Sequence, residues 1–121
     1  MAISKRLQGD YGEQLAATYL QQKGYQIISR NVVQRRGEID IVAKHKNTYV
    51  FIEVRTKTSE HHGTPEESIG NTKKKRFLNA VSRYIYEHNI EDESIRCDVV
   101  AVLLNTEPAT IRHYQNAFIS E

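Results

Sequence analysis

Two carboxylates near the ends of neighbouring predicted strands are the residues of this sequence best placed to do chemistry. Residues 48–57 predict a strand, in which successive side chains point to opposite faces. One face is typical of a core, and the other changes from apolar to charged in the order Tyr49, Phe51, Glu53, Arg55 and Lys57. Such a strand runs from a core into a cleft, and Glu53 is predicted where the core ends.

The preceding strand, over residues 38–44, supplies the second carboxylate. If a turn of even length joins the two strands, Val42 lies opposite Phe51 and Asp40 lies opposite Glu53. A shift of one residue would move every side chain to the other face, so the apolar match of Val42 with Phe51 supports this register. The register predicts that Asp40 and Glu53 are direct neighbours.

Two facing carboxylates need a compensating positive charge. Their Cβ atoms would lie about 5 Å apart, and like charges at that position destabilise a sheet. A divalent cation would compensate them, because Mg²⁺ prefers one or two carboxylates together with waters and substrate phosphate oxygens. Nearby basic side chains would compensate them too: Arg35, Arg36, Arg55 and Lys57. The spacing alone leaves open both a metal centre and an ion-pair network without function.

A run of four basic residues, from Lys73 to Arg76, lies at the predicted start of the second helix. Cations there oppose the helix macrodipole, at a cost of about 0.3–1 kcal/mol each. Free backbone N–H groups next to lysine side chains make a good phosphate site, so Lys73 and Arg76 are candidate phosphate contacts. Alternatively, these side chains only solvate the surface, with Glu66 and Glu67 offsetting their charge.

The elements that must position these residues follow from the periodicity of apolar side chains. Helices are predicted over residues 4–23 and 72–88, and strands over residues 25–33, 38–44, 48–57, 95–104 and 110–114. A loop over residues 58–63 is predicted to lead into a short helical turn beginning at Thr64. The first helix is predicted to bury Leu7, Tyr11, Leu15 and Tyr19, with Ala16 and Leu20 beside them. The order α-β-β-β-α-β-β predicts an α/β fold with a mixed sheet flanked by helices.

Length and composition limit the possible classes of protein. A chain of 121 residues supports one hydrophobic core, so one domain over residues 1–121 is expected. The 17 basic and 15 acidic residues are too evenly balanced to identify a nucleic-acid-binding protein without knowing where the charges lie. One cysteine, Cys97, excludes an intrachain disulfide and fits a reducing compartment. With no signal peptide and no long apolar run, a soluble cytoplasmic protein with no membrane partner is predicted.

An ordered set of motifs resembles a known family. The segments RGEIDIV over residues 36–42 and FIEVR over residues 51–55 resemble the PD-(D/E)XK nuclease signature. With GE at 12–13, GY at 24–25, GTPEE at 63–67 and RCDVV at 96–100, they resemble the YraN-like bacterial family, itself similar to archaeal Holliday-junction resolvases. The resemblance covers nearly the whole chain and implies a restriction-endonuclease-like core.

The resemblance also implies a role for individual residues. Asp40 and Glu53 match metal-binding carboxylates for Mg²⁺ or Mn²⁺, and the backbone carbonyl of Val54 matches the third protein ligand. Glu13 matches a first-helix glutamate that completes such a site through water, although its place beside the apolar face by itself favours a solvated charge. Arg55 stands where the motif more often has lysine. A guanidinium stays protonated, so Arg55 cannot be a general base, but it can hold the attacking water or stabilise developing charge.

Several functions follow from these observations. The resemblance implies a metal-dependent endonuclease acting on DNA, with branched or junction DNA as a candidate substrate. Its DNA contacts are expected from a basic rim: Arg35, Arg36, Lys57, Lys73 and Arg76. The alternative, motivated by Arg55, is a non-catalytic nucleic-acid-binding module that retains the nuclease fold; an interaction subunit using the second helix is a third. A homodimer is also expected, because one small domain offers little surface for a branched duplex and two-fold dimers are the commonest oligomers.

Overall fold

Five strands form one mixed sheet with a helix on each of its faces. The computed structural model describes residues 4–59 and 70–118. In chain order its elements are α1 (Lys5–Gln22), β1 (Gln26–Gln34), β2 (Gly37–His45), β3 (Thr48–Lys57), α2 (Asn71–Glu87), β4 (Ser94–Leu103) and β5 (Thr110–Tyr114). Each was predicted, with bounds within one residue. The helical turn predicted at Thr64 lies outside the described residues.

The strands lie in the sheet in the order in which they occur in the chain, from β1 to β5. Neighbouring strands are antiparallel, except that β3 and β4 are parallel and are joined by the crossover that contains α2. Val42 lies opposite Phe51, as the hairpin register predicts. The predicted mixed α/β arrangement is therefore confirmed.

The sheet separates two apolar cores. The core beneath α1 contains Ala16, Leu20, Ile41, Val50, Ile52, Val54, Val100 and Val102. The core beneath α2 contains Ile39, Val42, Phe51, Phe77, Val81 and Tyr84. Because β3 gives Val50 and Ile52 to one core and Phe51 to the other, it lies at the centre of the molecule and holds Glu53 where both layers end.

The buried face of α1 differs from the predicted one in the first half of the helix. Leu7 and Tyr11 are 60% and 58% exposed, and the buried residues are Gly12, Glu13, Ala16, Ala17 and Leu20. Gly12 lies so close to β3 that an added Cβ would overlap the side chain of Thr56. Small residues set the orientation of α1, because they let its backbone approach the sheet.

The caps of α1 follow the sequence. The Ser4 hydroxyl accepts a hydrogen bond from the Leu7 N–H at 3.2 Å, which satisfies one of the free donors of the first turn. Gly24, with φ of +90°, reverses the chain direction just after the helix ends. The helix is thereby fixed at both ends, with its N-terminal half beside the carboxylates of β2 and β3.

Candidate metal centre

The centre lies where β2 and β3 stop pairing. Their backbone pairing runs from His45 opposite Thr48 to Ile41 opposite Ile52. At the next position of β2, the Asp40 carboxylate accepts a hydrogen bond from the Val54 N–H at 2.8 Å. A side chain of β2 is therefore bonded to a backbone N–H of β3. Asp40 is thus fixed against β3 at the end of the paired region.

The alternation of β2 also breaks at Asp40. In a regular strand, residues 39, 41 and 43 would share one face. Here Ile41 and Ala43 lie in the core beneath α1, whereas Ile39 lies with Val42 in the core beneath α2. This irregularity frees Asp40 from either core and directs it to the edge shared with Glu53.

Asp40 and Glu53 are in direct contact through a hydrogen bond between their carboxyl groups. Burial, followed by the negative charge of Asp40, raises the pKa of Glu53 to about 8. Burial also raises the pKa of Asp40, against the opposing effect of the Val54 N–H. Both pKa values are thus raised, and a divalent cation bound between the two carboxyl groups would favour their ionised forms.

Glu13 adds a third carboxyl group to the same cleft. Its side chain is buried, and its Oε1 atom has no hydrogen-bond partner among the described residues. Arg30 lies 3.6 Å from that atom, but burial and the charge of Asp40 still raise the pKa of Glu13 to about 7. The family resemblance predicted that Glu13 lies near the centre, and this position agrees with it. The helical pattern alone favoured a solvated charge instead.

Basic side chains surround these acids. The Arg55 guanidinium is 3.8 Å from a Glu53 carboxylate oxygen. Lys73, in the first turn of α2, lies close enough that burial and the charge of Arg55 lower its pKa, while Glu53 and Asp40 oppose that shift. We name this site the carboxylate cleft; it has a volume of about 640 Å³ and is lined by Glu13, Glu38, Asp40, Glu53, Arg55, Lys57 and Lys73.

The oxygen atoms of the carboxylate cleft determine which cation it could hold. In the described ranges, no three His, Cys, Asp or Glu side chains are arranged to hold one metal ion. The adjoining carboxylates of Asp40 and Glu53 supply oxygen donors, and Val54, whose carbonyl the resemblance implies as a third ligand, lines the same cleft. This set fits Mg²⁺ or Mn²⁺, which bind through one or two carboxylates and complete their shell with water and phosphate oxygens. It does not fit a closed, all-protein zinc site.

The predicted basic rim divides into two parts. Arg55, Lys57 and Lys73 line the carboxylate cleft, and Arg76 lines a small extension of it beside Lys73. Arg35 and Arg36 lie elsewhere, in a separate groove between the β1–β2 turn and α2. An added Cβ on Gly37 would overlap the backbone carbonyl oxygen of Arg76, so close contact between this turn and α2 separates the two sites.

The structure brings into the cleft residues that the sequence did not single out. Lys5, Gln8 and Gly9 line it from the first two turns of α1, and Ser59 lines it after β3. A usable signal was present in the small residues Gly12, Ala16 and Ala17, which define the helix face that meets the sheet. Gln8 and Gly9 lie one helical turn before Gly12, where α1 begins to pack on the sheet, and there they line the cleft.

With the geometry established, the chain was compared with known proteins. Residues 12–102 match the model of "Uncharacterised protein family UPF0102". A UPF0102 protein of Pelotomaculum thermopropionicum is 41% identical over 120 residues, covering 98% of this chain and 100% of the relative. One of Caldanaerobacter subterraneus is 38% identical over 119 residues, covering 96% and 98%. The chain belongs to the UPF0102 family.

Membership of UPF0102 confirms the YraN-like resemblance. The matched span of this UPF0102 chain includes the whole predicted set of site residues, from Glu13 to Arg76. A UPF0102 protein of Syntrophotalea carbinolica is also 38% identical, over 110 residues that cover 91% of this chain and 89% of the relative. Among the helices of residues 4–59 and 70–118, none is long and apolar enough to cross a membrane.

Proposed function

We propose that this UPF0102 chain is a metal-dependent phosphodiesterase that hydrolyses DNA, with branched or junction DNA as its candidate substrate. The observation that carries the proposal is the adjoining pair of partly buried carboxylates, Asp40 and Glu53, within a cleft bordered by Arg55, Lys57 and Lys73. Acidic side chains that hold an ion, surrounded by basic ones that hold a phosphate, suit phosphodiester hydrolysis. The motifs shared with PD-(D/E)XK nucleases support the same reaction.

The cofactor would be Mg²⁺ or Mn²⁺, held by Asp40, Glu53 and the Val54 carbonyl. When bound, such an ion polarises the phosphate and lowers the pKa of a water molecule, which supplies the nucleophile. The Val54 N–H orients Asp40 through its 2.8 Å hydrogen bond, so the position of this carboxylate is set before substrate arrives. This preorganisation reduces the rearrangement needed in the transition state.

The remaining residues orient substrate and hold protons. A guanidinium is a hydrogen-bond donor and not a base, so Arg55 serves as a donor to a phosphate oxygen. Lys73 approaches the same cleft from α2 and offers a second cation for the phosphate. Glu13, whose Oε1 has no hydrogen-bond partner within the described segments, offers an acceptor for a water proton.

A cleavage assay with matched variants tests this function. Labelled four-way junction, flap and linear duplex DNA would be incubated with the purified chain, with and without Mn²⁺. We expect Mn²⁺-dependent cleavage that Asp40→Asn and Glu53→Gln each abolish. The controls Asp92→Asn and Glu91→Gln change exposed acids in the turn after α2 and should cleave like the wild type. Cleavage that persists unchanged in Asp40→Asn would refute the proposal.

The second candidate is a non-catalytic nucleic-acid-binding module, favoured by Arg55 at the position where the nuclease motif more often has lysine. It predicts salt-dependent DNA binding with no turnover in Mg²⁺ or Mn²⁺. On duplex DNA the slope of log K against log salt would be about −0.9 for each phosphate contact. Binding without cleavage of any tested substrate would favour this candidate over the first.

A further inference from the structure

The groove between the β1–β2 turn and α2 has a basic lining. We name it the α2 groove; it has a volume of about 830 Å³ and its polar lining includes Gln34, Arg35, Arg36, Asn79, Arg83 and Glu87. Glu87 already pairs with Arg83 at 3.5 Å and accepts a hydrogen bond from Gln34 at 3.2 Å. Three arginines face one carboxylate, so the lining keeps an excess of positive charge for an anionic ligand.

A single stripe along α2 links this groove to the carboxylate cleft. Lys73, Arg76, Ala80, Arg83 and Glu87 follow one another at intervals of three or four residues, which places them on one side of the helix. Lys73 lines the cleft, Arg76 its extension, and Arg83 the α2 groove. The β1–β2 turn packs against α2 at Arg76 between the two sites, so a ligand that contacts both must be large enough to span this turn.

One duplex is long enough to cover both sites. Lys73 and Arg83 are separated by ten residues of helix, about 15 Å at 1.5 Å per residue. A duplex rises by about 3.4 Å per base pair, so 15 Å along its axis corresponds to about four base pairs. Because each strand also turns about the axis, once in about 10 base pairs, the phosphates at the two sites would lie on different parts of the backbone and not in one straight row.

We propose that the α2 groove binds the phosphate backbone of a nucleic-acid duplex whose reacting phosphate is held in the carboxylate cleft, about 15 Å away along α2. This inference rests on the proposed function, since it takes the cleft to be the place where the phosphodiester is bound. Arg35 and Arg36 contact the backbone from the β1–β2 turn, and Arg83 contacts it from α2. The groove extends the footprint of a small domain along the duplex arm beside the reacting phosphate.

The test compares binding of short and long duplexes in the absence of divalent ions, so that cleavage does not enter the measurement. Fluorescence anisotropy would give the Kd for hairpins with stems of about 4 and about 16 base pairs, each closed by an uncharged glycol loop; the short stem cannot bridge both sites. The triple variant Arg35→Gln/Arg36→Gln/Arg83→Gln removes the three positively charged side chains of the α2 groove. Its matched control, Lys23→Gln/Lys44→Gln/Lys46→Gln, removes the same charge from residues that line neither site.

We expect the wild type and the control to bind the long stem more tightly than the short one by the same factor. In the groove variant that factor should fall about tenfold, and the salt slope on the long stem should fall by about 2 to 3, as for three lost phosphate contacts. Circular dichroism melting would verify that both triple variants are folded.

Three outcomes would overturn the inference: an equal loss in the groove variant and the control, an unchanged ratio between long and short stems, or the same change on a single strand of matched length. Absence of cleavage in the separate Mn²⁺ assay would refute the phosphodiesterase and leave a positive binding result intact. The two failures are therefore distinguishable.

Discussion

At the scale of single residues, the carboxylate cleft gathers three acids where burial favours their neutral forms. The pKa values of Glu13, Asp40 and Glu53 are all raised, first by burial and then by the negative charge of a neighbouring acid. Ionising them together costs free energy in the absence of a cation. A bound divalent ion would remove that cost, so the stability of the chain should depend both on metal and on pH.

This predicts how metal stabilisation changes with pH. The pKa of Glu53 is about 8 in the folded chain, against 4.5 for an ordinary glutamate, so the folded state binds an extra proton between these pH values. Without metal, stability should fall as pH rises from about 4.5 towards 8, because over this range the folded state still holds a proton that the unfolded state has released. Since metal needs the ionised form, the Tm increase caused by Mn²⁺ should be larger at pH 8 than at pH 6.

Differential scanning fluorimetry across this pH range would measure the effect. The double variant Asp40→Asn/Glu53→Gln is the control, and its Tm should not respond to Mn²⁺ at either pH. A Tm increase that is the same at both pH values, or that persists in the double variant, would place the binding of Mn²⁺ elsewhere.

Arg55 provides a second residue-level prediction. Its guanidinium is expected to hold phosphate charge, a task that needs a cation and not a base. Arg55→Met should therefore lower kcat by about a hundredfold, whereas Arg55→Lys should stay within about tenfold of the wild type. Single-turnover cleavage in Mn²⁺ measures both variants. Equal activity of Arg55→Met and the wild type would show that Arg55 has no part in the reaction.

The position of Asp40 next to Glu53 was predictable from local pattern. The hairpin register brings the two residues together, because it follows from residues that are close in the chain. The burial of Glu13 was not predictable in the same way. The large apolar side chains Leu7 and Tyr11 dominate the periodic pattern of the helix, but they remain mostly exposed.

At the scale of elements, the approach of α1 to β3 sets the shape of the cleft. Gly12 contacts the side chain of Thr56, and Glu13 enters the cleft from the next position along the helix. The break in the alternation of β2 at Asp40 brings a second carboxylate into the same cleft, from the sheet rather than from the helix. Neither feature follows from binary patterning, because each depends on how closely two elements pack.

The contact at Gly12 can be tested by adding one methyl group. Gly12→Ala places a Cβ into the Thr56 side chain, and such overpacking should destabilise the chain by about 1–3 kcal/mol. Gly9→Ala is the matched control, because nothing lies within 4 Å of its added Cβ and alanine favours a helix interior by about 0.5–1 kcal/mol. Urea unfolding would give both values. A neutral or stabilising effect of Gly12→Ala would contradict the close approach of α1.

At the scale of the whole molecule, a buried network at Asp98 joins parts of the chain that are far apart in sequence. The Asp98 carboxylate accepts hydrogen bonds from Arg96, from the Asn116 N–H at 3.1 Å, and from His113 at 2.8 Å in its Nε2-protonated form. Arg96 also donates to the Tyr25 hydroxyl. The network ties β4 and β5 to the residue that precedes β1, and so holds the sheet on which the cleft is built.

Removing this charge should destabilise the fold without touching the cleft. Asp98→Asn leaves the Arg96 guanidinium without its buried partner and should cost about 3–5 kcal/mol. Urea unfolding measures the loss, and Glu107→Gln, an exposed acid before β5, is the control and should be nearly neutral. A loss below about 1 kcal/mol would mean that Arg96 and His113 are satisfied in another way.

Asp98 also makes the stability of the folded chain depend on pH in the acid range. Burial alone would raise its pKa, but the hydrogen bonds from His113, Arg96 and Asn116 outweigh burial and lower it. The folded state therefore releases this proton more readily than the unfolded state, whose aspartates have a pKa of about 3.9. The stabilisation is present above that pH and is lost as pH falls through the lower folded-state value. Asp98→Asn should lack this part of the acid dependence.

The separation of the basic residues into two sites is a property of the whole molecule that the sequence could not reveal. Arg35 and Arg36 are five and four residues from Asp40, yet they line a different groove from it. Their position depends on the contact between Gly37 and the backbone of Arg76, which joins two elements 39 positions apart. The strand order and register, in contrast, follow from short connections and alternating side chains.

An anomalous-scattering measurement on crystals soaked in Mn²⁺ tests most directly whether the paired carboxylates form a metal centre. We predict a manganese peak within coordination distance of the Asp40 and Glu53 carboxylates and the Val54 carbonyl oxygen, and no such peak in crystals of Asp40→Asn. A map with no peak between Asp40 and Glu53, or with manganese bound only at other acids, would contradict this prediction.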